Sequence, residues 1–109
     1  MNQNQINKMM KQVQRMQADM AEAQASLLDE TVTGTAGGGV VVATSNGSGQ
    51  LLSIKLDESV VDPEDIEMLQ DLIVAAVNEA DRSAQALQQE RMGAVTGGMD
   101  MGSLGGLLG

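Results

Sequence analysis

The chain has 109 residues, six Lys/Arg against fifteen Asp/Glu, and a formal net charge of −9. It contains no Cys, His, Phe, Tyr or Trp, which excludes disulfides, thiolate or imidazole metal sites, imidazole catalysis and stacking of bases on aromatic rings. One domain is the default at this length, and a core of Val, Ile, Leu, Met and Ala alone is small enough that burial shared with a second subunit is expected.

The opening Asn2-Gln3-Asn4-Gln5 lacks the apolar run of a signal peptide, and no apolar stretch reaches the length of a membrane span, so a cytoplasmic protein without a membrane partner is expected. Residues 4–28 hold Ala, Met, Leu, Gln and Lys without Gly or Pro, which predicts a helix. Ile6, Val13, Met20 and Leu27 recur every seven residues, with Met9, Met16 and Ala23 three residues further on. This repeat predicts a coiled-coil-like seam, softened by its methionines. Lys8, Lys11 and Arg15 fall at i, i+3 and i+7, on one line of the helix away from that seam. No acid occurs before Asp19, so the first part of an acidic chain is locally basic. A solvated outer face explains three such charges; a phosphate-contacting stripe, doubled in a dimer, explains their segregation.

Three β-type runs follow, over 31–36, 40–45 and 50–56. Thr31, Thr33 and Thr35 alternate with Val32, Gly34 and Ala36, the period of a half-buried strand. Gly37 to Gly39 supplies one turn, and Asn46-Gly47 signals a hairpin because both residues tolerate positive φ. Neither glycine cluster precedes Lys-Ser/Thr or a helix, so turn chemistry explains them better than phosphate cradling does. The expected product is a three-stranded antiparallel meander.

A second helix is predicted over 63–92, with Asp62 as N-cap, Pro63 at the first position, and Val61 and Ile66 at the spacing of a hydrophobic staple. From Ile66 to Val77 it is apolar nearly all round, which calls for cover on more than one side. Ile66, Leu69, Leu72, Ile73 and Val77 are therefore the expected dimer interface. From Asn78 to Met92 the apolar set thins to alanines and Leu87, which reads as an arm projecting into solvent beside the first helix. Residues 93–109, rich in Gly, Met and Leu, are expected to form a flexible tail, leaving 1–92 as the single domain.

No nucleophile–base pair or ligand cluster is visible. The acids Asp62, Glu64, Asp65 and Glu67 lack the spacing of a calcium loop and suit a helix start. A non-enzymatic protein without cofactor, metal or small-molecule substrate is expected.

In Met9-Met10-Lys11-Gln12-Val13-Gln14-Arg15-Met16-Gln17, in Val32-Thr33-Gly34 and in Gly39-Val40-Val41, the chain resembles the YbaB/EbfC nucleoid-associated proteins of bacteria. The likeness is densest from Asp65 to Arg82, through Glu67-Met68-Leu69-Gln70-Asp71-Leu72-Ile73 and Ala75-Ala76-Val77-Asn78-Glu79-Ala80, and returns at Glu90-Arg91-Met92. The resemblance implies an α+β protomer of α-β-β-β-α order, a tweezer-shaped homodimer, and binding of double-stranded DNA with little sequence preference. It points to Arg82 on the second helix, and to Lys8, Lys11 and Arg15 on the first, as DNA contacts. Where family members often carry further basic residues, this chain has Ser83, Gln85 and Gln88, so a weaker grip is expected. The implied role is organising or regulating the chromosome. The alternative is a holder-type module whose helical arms clasp another protein, with weak or no direct DNA binding; its soft Met seam and acidic surface suit that use.

Overall fold

The computed structural model of the protein describes residues 2–96. Helix α1 (Gln3–Asp29) leads into strands β1 (Thr31–Ala36), β2 (Val41–Asn46) and β3 (Leu51–Leu56); a short 3-10 turn at Glu58–Val60 follows, then helix α2 (Ile66–Thr96). The order α-β-β-β-α and the antiparallel meander β1-β2-β3 are those expected. Among the described residues no helix is long and apolar enough to cross a membrane.

Helix α1 opens on Asn2, whose side-chain oxygen accepts from the Gln5 N–H at 2.9 Å and satisfies one free donor of the first turn. It stops where the extended Glu30 introduces the β-branched run from Thr31. Of its heptad seam only the C-terminal end is covered. Leu27 is buried and Met16 and Ala23 are half-buried, whereas Ile6, Met9, Val13 and Met20 are exposed.

In the sheet, Thr33 pairs with Thr44 and Thr44 with Ser53, while Thr35 pairs with Val42 and Val42 with Lys55. The other face carries Gly34 opposite Ala43 and Ala36 opposite Val41, and this is the buried face. The pairing shifts between Thr44 and Ser45, a bulge that lets Ser45 meet Leu51. Strands β2 and β3 each begin one residue later than the sequence pattern suggested. The connection between them is also longer than an Asn-Gly turn. Neither Asn46 nor Gly47 has positive φ, and Gly49 supplies the left-handed residue at φ 93°. Asn46 acts through its side chain, its Oδ1 accepting from the N–H groups of Ser48 (3.1 Å) and Gln50 (2.9 Å).

Helix α2 starts later than its capping signature implied. Asp62 accepts from Glu64 N–H at 2.9 Å, and the Asp65 N–H returns to the Asp62 carbonyl at 3.0 Å, closing a separate turn that contains Pro63. Asp65 is the residue that caps the helix, its Oδ1 accepting from Met68 N–H at 3.2 Å. With the cap at Asp65, Val61 and Ile66 no longer occupy staple positions, and both are exposed. The helix also runs through Gly93 to Thr96. The remainder of the expected tail, from residue 97, lies outside the described residues.

The core sits where α2 crosses β1 and β2. Its buried members are Val41, Ala43, Val60, Ala76 and Ala80, with Leu69, Leu72, Ile73 and Val77 packed around them. Ala84 is fully buried as well. From Asn78 on, α2 lies beside α1 as expected, yet it does not project into solvent: Ala80, with Ala76 before it, sits over Gly34 of β1, and Ala84 is buried one turn on. Small residues on both sides bring helix and sheet backbones close, which explains how a chain without aromatics still makes a tight layer.

Candidate nucleic-acid interface

Lys8, Lys11 and Arg15 all lie on the exposed distal part of α1. Residues 2–18 contain no acid, so Lys8 and Lys11 have no carboxylate within a turn of the helix, while Asp19 stands one turn beyond Arg15. Alongside runs the uncovered apolar part of the seam, where Ile6, Met9, Met10, Val13 and Gln14 line a shallow depression. The distal arm thus joins mobile cationic heads to an adaptable apolar strip.

Arg82 is exposed on α2. Its neighbour Asp81 is engaged one turn on, where the Gln85 side-chain N–H donates to Asp81 Oδ2 at 2.9 Å. The acid beside Arg82 therefore has a hydrogen-bond partner of its own.

Arg91, the other basic residue of α2, pairs with Glu30 at the α1–β1 junction. The pair is about two-fifths exposed on the arginine side and one-third on the glutamate side (41% and 34%). Glu30 Oε2 and Arg91 Nε are buried without further partners, so the contact depends on a single nitrogen–oxygen pairing. Nearby, the Gln88 side chain donates to the Gly47 carbonyl at 2.9 Å. Gly47 N–H in turn donates to the carbonyls of Leu27 (2.8 Å) and Glu30 (2.9 Å). A Cβ at Gly47 would stand 2.7 Å from the Leu27 carbonyl oxygen, so this close approach needs glycine. Glu30, Gly47, Gln88 and Arg91 together clamp the base of the α1 arm. No pattern in the sequence pointed to these contacts, because the partners lie 41 and 61 residues apart.

The sequence-identified cations do not converge within one protomer. Helix α2 runs antiparallel to β1, with Leu72 over Gly37, Ala80 over Gly34 and Arg91 at Glu30. At about 1.5 Å per helical residue, Arg15 stands roughly 22 Å from the Glu30 junction along α1, and Arg82 roughly 13 Å from it along the body. They form two stations on a long molecule whose extents are 74 × 30 × 16 Å.

Of the residues expected at a dimer interface, Ile66 is 47% exposed, while Leu69, Leu72, Ile73 and Val77 are half-buried around the protomer's own core. The larger apolar surface lies next to them. Every residue of β3 is exposed, including Leu51, Leu52, Ile54 and Leu56, and so are Val61, Met68 and Val74.

The model of the YbaB/EbfC DNA-binding family matches residues 1–99. A nucleoid-associated protein of Alkaliphilus metalliredigens is 52% identical over 99 residues, covering 91% of this chain and 87% of its own. One from Saccharopolyspora erythraea is 50% identical over 103 residues, covering 94% and 89%. In fold, the chain is similar to the crystal structure of an uncharacterized protein from Helicobacter pylori, with a TM-score of 0.66 over 83% of this chain and 91% of that one, at 23% identity. The long helices flanking a small meander, the basic distal arm and these matches agree: the chain belongs to the YbaB/EbfC DNA-binding family.

Proposed function

We propose that the protein is a nucleoid-associated, non-enzymatic homodimer of the bacterial cytoplasm that binds double-stranded DNA through its phosphate backbone with little sequence preference, and so organises or regulates the chromosome. The observation that carries this reading is the acid-free line Lys8, Lys11, Arg15 on an exposed arm, in a chain of net charge −9. Such segregation supports local phosphate contact despite the overall charge. Without aromatic rings the protein has no stacking platform for single strands, which favours the duplex.

The exposed apolar strand β3 and the neighbouring start of α2 support a second copy as the partner at that edge. An uncovered apolar edge strand invites pairing with another chain, and the two α2 helices would then cover what one protomer leaves bare. Ile66, Leu69, Leu72, Ile73 and Val77 would border this contact. Two protomers would present eight cations from Lys8, Lys11, Arg15 and Arg82. Full engagement of eight phosphates gives a log–log salt slope of about −7, and the acidic remainder lowers its magnitude.

The test is a duplex-DNA titration across salt concentrations with the four cations changed to Glu. Loss of binding in the variant supports the reading. Unchanged binding would remove these residues from the mechanism, and no binding by the unaltered protein at low salt would sink it.

A further inference from the structure

Helix α2 covers one face of the sheet and leaves the other open. That open face is laid out by register. Thr31, Thr33 and Thr35 of β1 and Ser53 and Lys55 of β3 are exposed, with Val42 and Thr44 of β2 half-buried between them. Thr33, Thr44 and Ser53 make one cross-strand row of hydroxyls; Thr35, Val42 and Lys55 make the next.

Its charge is unlike that of the rest of the chain. Fifteen acids are spread over the sequence, yet none falls between residues 31 and 56, where Lys55 is the single charged residue. The nearest acids stand at its margins. Glu30 precedes β1 and is held by Arg91; Asp57 follows β3, with its carboxylate accepting from the Ser59 N–H at 2.9 Å. The sheet's open face is thus a weakly positive, hydroxyl-bearing surface on an anionic protein. Exposed large apolar side chains, which would suit protein packing, are found instead on α1, on the rest of β3 and on α2.

We propose that this open face is a second DNA-contacting surface, a floor on which the duplex backbone rests between the basic arms. The inference builds on the DNA-binding reading above and adds Lys55, Thr33 and Thr35 to its contacts. Threonine and serine hydroxyls donate to phosphate oxygens, and lysine adds the ionic contact that releases counterions. Alternate residues of an antiparallel strand lie about 6.8 Å apart, a spacing of the same order as that between successive phosphates of one nucleic-acid strand. In a dimer joined at β3, the two open faces would lie side by side and double the surface.

The experiment uses the full chain, a mixed-sequence duplex and a salt titration, with Lys55→Gln, Lys55→Arg and the double substitution Thr33→Glu/Thr35→Glu. Denaturation and sedimentation of each variant are measured in parallel. The expected result for Lys55→Gln is a salt slope reduced in magnitude by about 0.9 per protomer, or about 1.8 per dimer, with Lys55→Arg at the unaltered value. The glutamate pair should weaken binding at low salt by tenfold or more without changing stability or sedimentation. If the unaltered protein binds and the arm variants lose binding while these variants do not, the floor is overturned and the arm reading stands. If the face variants change the sedimentation instead, the face is a protein contact and the proposal is likewise overturned. Failure of the unaltered protein to bind at low salt ends both readings.

Discussion

Gly34 of β1 lies directly beneath Ala80 of α2: a Cβ placed on Gly34 would stand 2.2 Å from the Ala80 nitrogen and 2.3 Å from the Ala76 carbonyl oxygen. Both are backbone atoms of a helix and cannot rotate away. Gly34→Ala should therefore push α2 off the sheet and lower stability by up to about 3 kcal/mol, the upper end for an overpacked core, as read from chemical denaturation. Ala80→Gly, which leaves the contact open, should lose only the helix propensity and the small side chain, about 1 kcal/mol. Equal losses in the two variants would show that the close approach is not what ties helix to sheet.

The Arg91–Glu30 pair predicts a separation of structure from DNA contact. Both side chains are more than a third exposed or close to it, so solvent screening limits the pair. A double-mutant cycle with Arg91→Gln and Glu30→Gln should give a coupling of about 0.5–1 kcal/mol. Because Arg91 is occupied by Glu30, Arg91→Gln should leave the salt slope of duplex binding unchanged. Lys8→Gln should reduce the slope by about 0.9 per protomer. A slope lowered equally by both would mean that Arg91 leaves Glu30 for phosphate.

The apolar edge strand predicts where association is lost. Ile54 and Leu56 are each 38% exposed on a strand paired on one side only. If the proposed dimer joins at β3, Ile54→Asp or Leu56→Asp should raise its dissociation constant tenfold or more, since removing a buried aliphatic side chain from an interface costs about 1.5–3 kcal/mol. Sedimentation equilibrium measures this directly. A dimer unmoved by both changes places the contact elsewhere.

Asp57 predicts a pH signature. Hydrogen bonds from Ser59, first its backbone N–H and then its side chain, hold the carboxyl below the ordinary carboxylate range. A folded-state pKa below the unfolded one stabilises the protein above the unfolded value and ceases to do so as pH falls through the folded value. Asp57→Asn should thus lower the melting temperature at neutral pH, and the gap should close in strongly acidic solution. No gap at neutral pH would mean that the asparagine caps the turn as well as the carboxylate does, and a gap independent of pH would mean that the loss does not come from the carboxylate's charge.

Much of this protein was legible locally. Helix-forming composition and the absence of Gly and Pro placed α1, whose observed span, Gln3–Asp29, exceeds the expected one by a residue at each end. The alternation of threonines with Val32, Gly34 and Ala36 placed β1 at Thr31–Ala36, where the structure has it. These are properties of neighbouring residues, and a period of two or seven is visible in the chain itself. The start of α2 was misplaced by three residues because Asp62 and Asp65 are both competent caps. Only the turn that Asp62 closes with Glu64 and Asp65 decides between them.

What the sequence determined by itself is the order of elements, the basic segment at residues 8–15 and the restriction to chemistry without rings or thiols. How those elements use their faces was settled by contacts made on folding. The alanines of α2, which look like a thinning apolar stripe, are its buried line, because Gly34 and Ala43 leave room only for small side chains. Arg91 is a structural partner of Glu30 across a separation of 61 residues, and the threonines of β1 share an open face with Lys55. Each of these depends on contacts between distant parts of the chain. Local propensity holds no record of them, since two residues far apart carry no mark of which partner the fold will bring.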